Sequence, residues 1–220
     1  MYLKQDAIFV ADTHYNKKNL KFEFLLDDIL SNKIQTSQLI LLGDIFDYLS
    51  FEIEYFKNIN KKVIDKLNIL SSKLEIIYLE GNHDYNLKKL FPNITIIPRQ
   101  KQPLICNYNN KKISLAHGDI FMTWNYEFFT KFIRNKFVLN IINFLDINNF
   151  FTRYIENMLL NKDIYSYKFK DFNSFAQNRI NLYKKYNVDM IIEGHFHQNK
   201  KYNNYINILY IMNIFEKYHL

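Results

Sequence analysis

Cysteine is almost absent from this chain of 220 residues, which contains one, Cys106. A single cysteine cannot form a disulfide within the chain, so the sequence predicts a protein of a reducing compartment, the cytoplasm. The residues before Asp12 lack the charged segment, apolar run and cleavage site of a signal peptide, so we expect no export by that route. The uncharged stretch at residues 137–145 is too short to cross a bilayer, and we expect no membrane span.

Glycine is also scarce, and its few positions are informative. All four glycines and four of the six histidines fall in four short motifs, and a fifth histidine ends Asp12-Thr13-His14. Such sparing use predicts glycine where the backbone needs a positive φ or approaches a ligand closely. The four motifs are Gly43-Asp44, Gly81-Asn82-His83-Asp84, His117-Gly118-Asp119 and Gly194-His195-Phe196-His197.

Length and charge bound the class of protein. With 220 residues, 48% of them hydrophobic, the chain is expected to form a single domain, residues 1–220, with room for an insertion. The formal net charge of +7 favours an anionic partner. A phosphorylated metabolite, a nucleic acid and an acidic membrane surface all satisfy that charge.

Short apolar runs alternate with amphipathic segments along the chain. The helical periodicity predicts helices over residues 20–31 and 56–70. This alternation predicts an α/β layered fold, in which loops beyond the carboxyl ends of the strands gather at one edge. We therefore expect the polar residues that follow these strands to meet there. The five predicted strands cover residues 7–11, 39–42, 76–79, 113–116 and 190–192.

Residues 120–185 follow a different pattern, aromatic and helical, without a strand that ends in ligand-type residues. We interpret this interval as a helical cap over the polar edge. Its helices are expected at residues 126–145 and 150–160, with a last helix at 172–186 that returns to the core. A simple additional helical core explains the same apolar residues equally well.

The residues at the strand ends are of types that bind divalent metal ions. Carboxylate, amide and imidazole ligands without thiolate suit Mn²⁺, Fe²⁺ or Zn²⁺ better than Ca²⁺. Asp44 is the best candidate to bridge two ions, because Gly43 lets the strand end approach both. Any one of these residues alone is more often a turn or cap residue, whereas the whole set indicates a metal site. The predicted ligands are Asp12, His14, Asp44, Asn82, His117, His195 and His197.

These five motifs, in this order, resemble the calcineurin-like metallophosphoesterase superfamily. The resemblance implies a four-layer α/β/β/α sandwich with two divalent ions, Mn²⁺ first among the candidates, and a bridging hydroxide that attacks phosphorus. It implies that His83 faces the scissile phosphate and that Asp84 orients it. The resemblance implies one ion on Asp12, His14, Asp44 and His197, and the other on Asp44, Asn82, His117 and His195.

Within the superfamily, the chain is most similar to the bacterial UDP-2,3-diacylglucosamine pyrophosphatases of lipid A synthesis, which share its size, motif spacing and long helical insertion. That resemblance implies cleavage of the diphosphate to lipid X and UMP, with peripheral contact at the cytoplasmic face of the inner membrane and no protein partner. Acyl chains would then lie among aromatic side chains of the insertion, with nearby cations on phosphate or headgroups. The aromatic set is Phe128, Phe129, Phe132, Phe137, Phe144, Phe150 and Phe151, and the cations are Lys131, Arg134, Arg153 and Lys162.

One position keeps other functions open. The lipid A group commonly has arginine where this chain has His83, and histidine there is the general superfamily pattern. The alternative is a cytosolic phosphodiesterase or phosphatase that acts on a soluble nucleotide or on nucleic acid. A third hypothesis is a non-catalytic scaffold, although such a chain is expected to have lost metal ligands that this one retains.

Overall fold

The structure is a computed structural model that describes residues 1–163, 168–213, 215 and 217. The sixth histidine of the chain, His219, which belongs to none of the motifs, lies outside the described residues. Seven α-helices are present in this part of the chain: α1 (Lys21–Leu30), α2 (Glu54–Ile59), α3 (Lys61–Leu70), α4 (Trp124–Ile133), α5 (Lys136–Leu145), α6 (Phe150–Leu160) and α7 (Phe172–Tyr183). Short 3₁₀ turns occupy Leu87–Lys89, Arg99–Lys101, Ile147–Asn149 and Lys184–Tyr186.

Most of the strands belong to two five-stranded sheets. The strands are β1 (Ile8–Ala11), β2 (Gln38–Leu41), β3 (Leu49–Ser50), β4 (Glu75–Leu79), β5 (Asp84–Tyr85), β6 (Thr95–Ile97), β7 (Leu104–Tyr108), β8 (Lys111–Ala116), β9 (Met190–Glu193), β10 (Lys200–Tyr202), β11 (Tyr205–Asn207) and β12 (Tyr210–Met212). The first sheet has the order β12-β1-β2-β4-β6, and the second has the order β10-β11-β9-β8-β7. The two short strands β3 and β5 pair with each other.

The strand directions bring the polar motifs to one edge. In the first sheet β1, β2 and β4 are parallel neighbours, and in the second sheet β8 and β9 are parallel neighbours. All five are the strands that the sequence predicts, and the motifs follow their carboxyl ends. Convergence of these ends is what a parallel arrangement dictates, because every such strand leaves the sheet on the same side.

Alternation of side chains along β1 and β2 builds two cores from the same strands. Val10 and Leu39 face α1 and α3, whereas Phe9 and Ile40 face the second sheet. Period-two alternation with both faces apolar is typical of strands covered on both sides. On the outer face of the second sheet, α7 packs Tyr183 and other residues against β9 and β11. The layers therefore run helix, sheet, sheet, helix, and the predicted four-layer sandwich is confirmed.

Two predicted helices are each divided into two. The interval 56–70 breaks at Asn60, whose side-chain amide donates to the carbonyl of Tyr48 at 3.1 Å and whose own carbonyl accepts from Val63 and Ile64. The interval 126–145 breaks before Asn135, whose side-chain oxygen accepts from the first backbone amides of α5. Asparagine competes for backbone hydrogen bonds in this way, while the apolar period continues across both breaks.

Helices α4, α5 and α6 form a unit beside the edge that carries the motifs, called here the helical insertion. Leu139 packs with Ile53, Phe56 and Tyr85 of the sandwich, and the Tyr55 hydroxyl donates to Glu156 at 2.7 Å. Helix α7, in contrast, belongs to the sandwich. None of the described helices is both long and apolar enough to cross a membrane.

A buried charge cluster joins α7 to the end of β9. Glu193 is fully buried, and its carboxylate accepts hydrogen bonds from Arg179 Nε at 2.9 Å, from the Tyr205 hydroxyl at 2.9 Å and from the Tyr183 hydroxyl. Arg179 also donates to the carbonyl of Gly118 at 3.2 Å. The cluster therefore ties the loop after β8 to the strand that precedes His195.

We expect Arg179→Met to lower the free energy of unfolding by about 3–5 kcal/mol, because it leaves the Glu193 carboxylate buried without its counter-charge. Urea denaturation measures this loss, and Asn178→Met, an exposed neighbour on the same helix, is the matched control. A loss within the ~0.5 kcal/mol typical of surface substitutions would contradict this role of the cluster.

Candidate metal centre

Left-handed backbone turns aim the strand-end residues at one another. Positive φ is uncommon for residues other than glycine, although aspartate and histidine adopt it more readily than apolar residues do. Each such residue costs on the order of 1–3 kcal/mol and persists when its surroundings enforce it, as they do at functional sites. The five are Asp12 (φ 52°), His14 (45°), Asp44 (52°), His195 (65°) and His197 (55°).

One group of potential ligands consists of Asp12, His14 and His197, whose ligand atoms all lie within 4.8 Å of one another. His197 Nε2 is 3.6 Å from Asp12 Oδ1. The Asp12 carboxylate also accepts from the backbone amide of His195 at 2.7 Å, which fixes it to the opposite sheet. Two imidazoles and a carboxylate at this spacing have the donor types and the proximity that a divalent ion requires.

A second group consists of Asp44, His117 and His195, again with ligand atoms within 4.8 Å. His117 Nδ1 lies 2.8 Å from the carbonyl oxygen of Leu42, so its Nε2 is the nitrogen that faces the group. That Nε2 is 3.5 Å from Asp44 Oδ1 and 3.1 Å from Asn82 Oδ1. The backbone carbonyl fixes the orientation of the ring, as outer partners of metal-binding histidines commonly do.

Asp44 lies between the two groups. Its Oδ1 faces His117, and its Oδ2 lies 3.9 Å from His14 Nε2. A third group, His14, Asp44 and His83, overlaps both. A carboxylate with one oxygen toward each side has the geometry of a bridging ligand. All seven sequence-predicted ligands meet at this place, and their assignment as ligands stays a prediction.

The electrostatics of the centre favour a cation. Burial raises the pKa of the Asp44 carboxyl, but the surrounding imidazoles, His117 foremost, outweigh burial and hold that pKa well below its usual range. Burial lowers the pKa of His117, yet Asp44 and other carboxylates raise it to about 9. Burial and the neighbouring His117 lower the pKa of His195 to about 4. The site thus retains a proton where a metal ion would supply the charge, so metal binding is expected to release it.

Gly43 has no room for a side chain. Its φ is +84°, and a Cβ there would lie 2.6 Å from His117 Nδ1 and 2.7 Å from Gly81 Cα. The close approach lets the loops after β2, β4 and β8 meet. This is the use of glycine that its scarcity in the sequence predicts.

His83 lies at the mouth of the centre, with its ring 4.8 Å from that of His14. Its backbone amide donates to Asp44 Oδ1 at 2.8 Å, and its Nδ1 lies 2.6 Å from the carbonyl oxygen of Asp47. Because a carbonyl can only accept, Nδ1 carries a proton and Nε2 is left for a substrate. Burial lowers the pKa of the ring.

The prediction that Asp84 orients His83 is wrong. The Asp84 carboxylate accepts from the backbone amides of Asp44 and Gly81, both at 2.9 Å, from that of Ile45 at 2.6 Å and from the Tyr78 hydroxyl. Burial, together with the nearby Asp44 charge, raises its pKa to about 7. Asp84 therefore fastens the loop that carries Asp44 to the loop that carries Asn82, while a backbone carbonyl orients His83.

Arg134, one of the cations expected to meet phosphate or headgroups, is buried behind the centre. Its Nη2 donates to the carbonyl of Gly81 at 2.7 Å and lies 3.2 Å from Asp119 Oδ2. Asp119, the last residue of the His117-Gly118-Asp119 motif, is fully buried and also pairs with Arg99 at 2.9 Å. No pattern in the sequence connects these distant residues.

A cavity of about 420 Å³ opens over the centre. Besides potential ligands, its lining includes Met122, Lys162, Asp163, Phe169 and Phe196, so charged and apolar side chains border the same opening. Lys162, at the end of α6, brings one positive charge of the predicted set to the site. The volume is within the range of small-molecule sites.

Comparison with known proteins gives, among other matches, two relatives of the same name and one solved structure. A UDP-2,3-diacylglucosamine hydrolase from Coxiella burnetii (strain RSA 331) is 23% identical over 198 residues, covering 87% of this chain and 80% of that protein. The enzyme of that name from Proteus mirabilis is also 23% identical, over 204 residues, covering 87% and 82%. A solved structure of a protein of unknown function from Aquifex aeolicus aligns with a TM-score of 0.46 and 18% identity, covering 92% of this chain and 88% of that one.

The family assignment rests on a match that spans most of the chain. Residues 7–199 match the calcineurin-like phosphoesterase family, an interval that includes every strand-end motif described above. The resemblance carried by those motifs is thereby confirmed. This chain belongs to the calcineurin-like phosphoesterase family, whose members are metal-dependent phosphohydrolases, and it is similar to UDP-2,3-diacylglucosamine hydrolases.

Proposed function

We propose that this protein is a dinuclear-metal phosphohydrolase that cleaves the diphosphate of UDP-2,3-diacylglucosamine to lipid X and UMP. The observation that carries the proposal is a pair of His-rich groups, Asp12-His14-His197 and Asp44-His117-His195, with the second Asp44 oxygen turned toward His14 of the first. An insertion rich in exposed aromatic residues lies beside them. The names of the relatives support the substrate.

The seven ligands divide between two ions in this proposal. The residues fit the ions because they combine buried carboxylates with imidazoles, and because Asp44 presents an oxygen to each group. Bound ions supply a hydroxide nucleophile at neutral pH and offset the negative charge of the phosphoryl transition state. The nitrogen and oxygen donors suit Mn²⁺, with Fe²⁺ and Zn²⁺ as the other candidates. Asp12, His14, Asp44 and His197 would hold one ion, and Asp44, Asn82, His117 and His195 would hold the other.

His83 is the proposed catalytic residue beside the metals. Its Nδ1 proton is engaged by the Asp47 carbonyl, so Nε2 donates to phosphate oxygen or to the leaving group when the ring is an imidazolium. The negative charge of a bound diphosphate favours that protonated form. Asp84, in contrast, acts as a positioning residue through the loops that it joins.

The helical insertion is the proposed acyl-binding cap. Its aromatic side chains are largely exposed, including Phe144 at 84% and Phe150 at 81%, and contiguous exposed apolar surface marks lipid or partner binding. Lys162, two residues beyond α6, lines the metal cavity, so the insertion ends beside the site at which the diphosphate would bind. This arrangement supports a role for residues 120–160 as the cap, and it supports peripheral contact with the cytoplasmic face of the inner membrane. Residues 172–183 belong to the sandwich.

The substrate is tested with Mn²⁺-loaded protein and UDP-2,3-diacylglucosamine. We expect release of UMP, and we expect Asp44→Ala to abolish it by removing the shared ligand. No UMP, alongside metal-dependent turnover of an aryl phosphodiester, would contradict the lipid substrate and favour the soluble phosphoester that His83 suggests. Metal binding without turnover of either compound would favour the scaffold hypothesis.

Asp84→Asn and His83→Ala are expected to separate metal binding from chemistry. In Asp84→Asn, an amide replaces a carboxylate that accepts from three backbone amides, so we expect metal affinity to fall by about 10–100-fold, as for other outer partners of metal ligands. His83→Ala is expected to keep both ions and lose turnover. Metal content, measured by atomic emission after gel filtration, distinguishes the two. Equal metal loss in both variants would contradict these roles.

A further inference from the structure

A second cavity, of about 500 Å³, lies beside the metal centre without sharing a lining residue with it. It is enclosed by the turn after β5, the segment after β6 and the junction of α4 with α5. We call it the basic pocket, after the cations that line it: Lys88, Lys89, Lys101, Lys131, Arg134 and Lys136. Glu80 and Asn86, also in its lining, flank the segment that holds Asn82 and His83.

The lining of the basic pocket carries more positive than negative charge. The two carboxylates in its lining, Glu52 and Glu80, face six cations. Glu52 accepts from the Ser50 hydroxyl at 2.7 Å and from the Asn86 amide at 3.0 Å, and Glu80 accepts from the Leu87 backbone at 2.9 Å. Both therefore hydrogen-bond to neutral donors of the protein.

Three lysines of the pocket lining have no carboxylate partner within the described ranges of the chain. Lys101, Lys131 and Lys136 are exposed, and none of them forms an ion pair with a carboxylate in the part of the chain that the structure describes. A concave surface lined by one sign of charge concentrates its field and attracts counter-ions.

Arg134 supplies an independent indication of a ligand. Its side chain is 7% exposed, and although Nη2 is engaged by Gly81 and Asp119, the Nε and Nη1 atoms have no hydrogen-bond acceptor among the described residues. Buried guanidinium hydrogens are expensive to leave unpaired, and such a group calls for a missing water or ion. Arg134 also lines the pocket, so its positive charge acts on any anion that enters there.

From this geometry we infer that the basic pocket binds a small molecule carrying two or more linked phosphates, separately from the metal centre. Phosphate oxygens match both lysine ammonium groups and the planar donors of arginine. Lys88 already donates to the carbonyls of Pro92 and Ile94, and Lys89 lies over the Phe51 ring. The three remaining lysines offer more charge than a single phosphate engages, which favours a diphosphate or triphosphate. The volume of the cavity is in the range of small-ligand sites.

The test uses the metal-loaded protein and a fluorescent nucleoside diphosphate, mant-ADP, with metal in constant excess so that complexation is equal for every variant. Because Arg134 also braces Gly81, it is left intact, and the pocket is altered by Lys101→Gln with Lys136→Gln. The matched control is Lys111→Gln with Lys184→Gln, two exposed lysines outside the pocket. Asp44→Ala reports binding at the metal centre.

We expect the pocket variant to weaken mant-ADP binding at least ~10-fold, since two charge-assisted hydrogen bonds are lost. The control pair and Asp44→Ala should retain the wild-type affinity, and pyrophosphate should displace the probe whereas adenosine should not. Binding that Asp44→Ala abolishes and the pocket variant retains would overturn the inference. So would equal weakening by the two lysine pairs, displacement by adenosine, or no binding by the wild-type protein.

Discussion

The metal centre depends on the hydrogen bonds that the Asp84 carboxylate accepts from the backbone of two loops. The carboxylate joins the loop after β2 to the loop after β4 through backbone amides of both, and so holds Asp44 beside Asn82 and His117. Gly43 and Gly81 permit this approach because they lack a Cβ, and at both positions a Cβ would collide with neighbouring atoms. A buried carboxylate that accepts this many hydrogen bonds is a rigid support, and such support is what fixes ligand geometry before a metal arrives.

Strain and charge are concentrated around the same support. Five residues of the centre adopt left-handed backbone conformations, which the two sheets enforce from opposite sides. The centre collects carboxylates and imidazoles whose mutual interactions raise the pKa of His117 and lower that of Asp44. Arg134 and Arg179 extend the support outward, one through Gly81 and the other through Gly118. The sandwich thus holds the residues of the metal centre in backbone conformations that are unfavourable by themselves.

Much of the fold and of the centre could be predicted from the sequence, because strands buried on both faces and glycine-flanked ligand residues are local patterns. The helix breaks at Asn60 and before Asn135 could not, because the apolar period is continuous across both. The partner of the Asn60 amide, Tyr48, lies elsewhere in the chain, and the N-cap at Asn135 is local but falls inside an unbroken apolar pattern. The role of Asp84 was misassigned for a related reason. Adjacency in sequence suggested His83 as its partner, whereas the amides of Asp44 and Ile45 become its neighbours only when β2 and β4 pair.

The central claim is that two metal ions share Asp44, and electron paramagnetic resonance of the Mn²⁺-loaded protein tests it most directly. We predict two Mn²⁺ per chain with a spin-coupled spectrum, because ions bridged by one carboxylate lie within about 4 Å of each other. One Mn²⁺ per chain, or two that give the spectrum of isolated ions, would contradict the account.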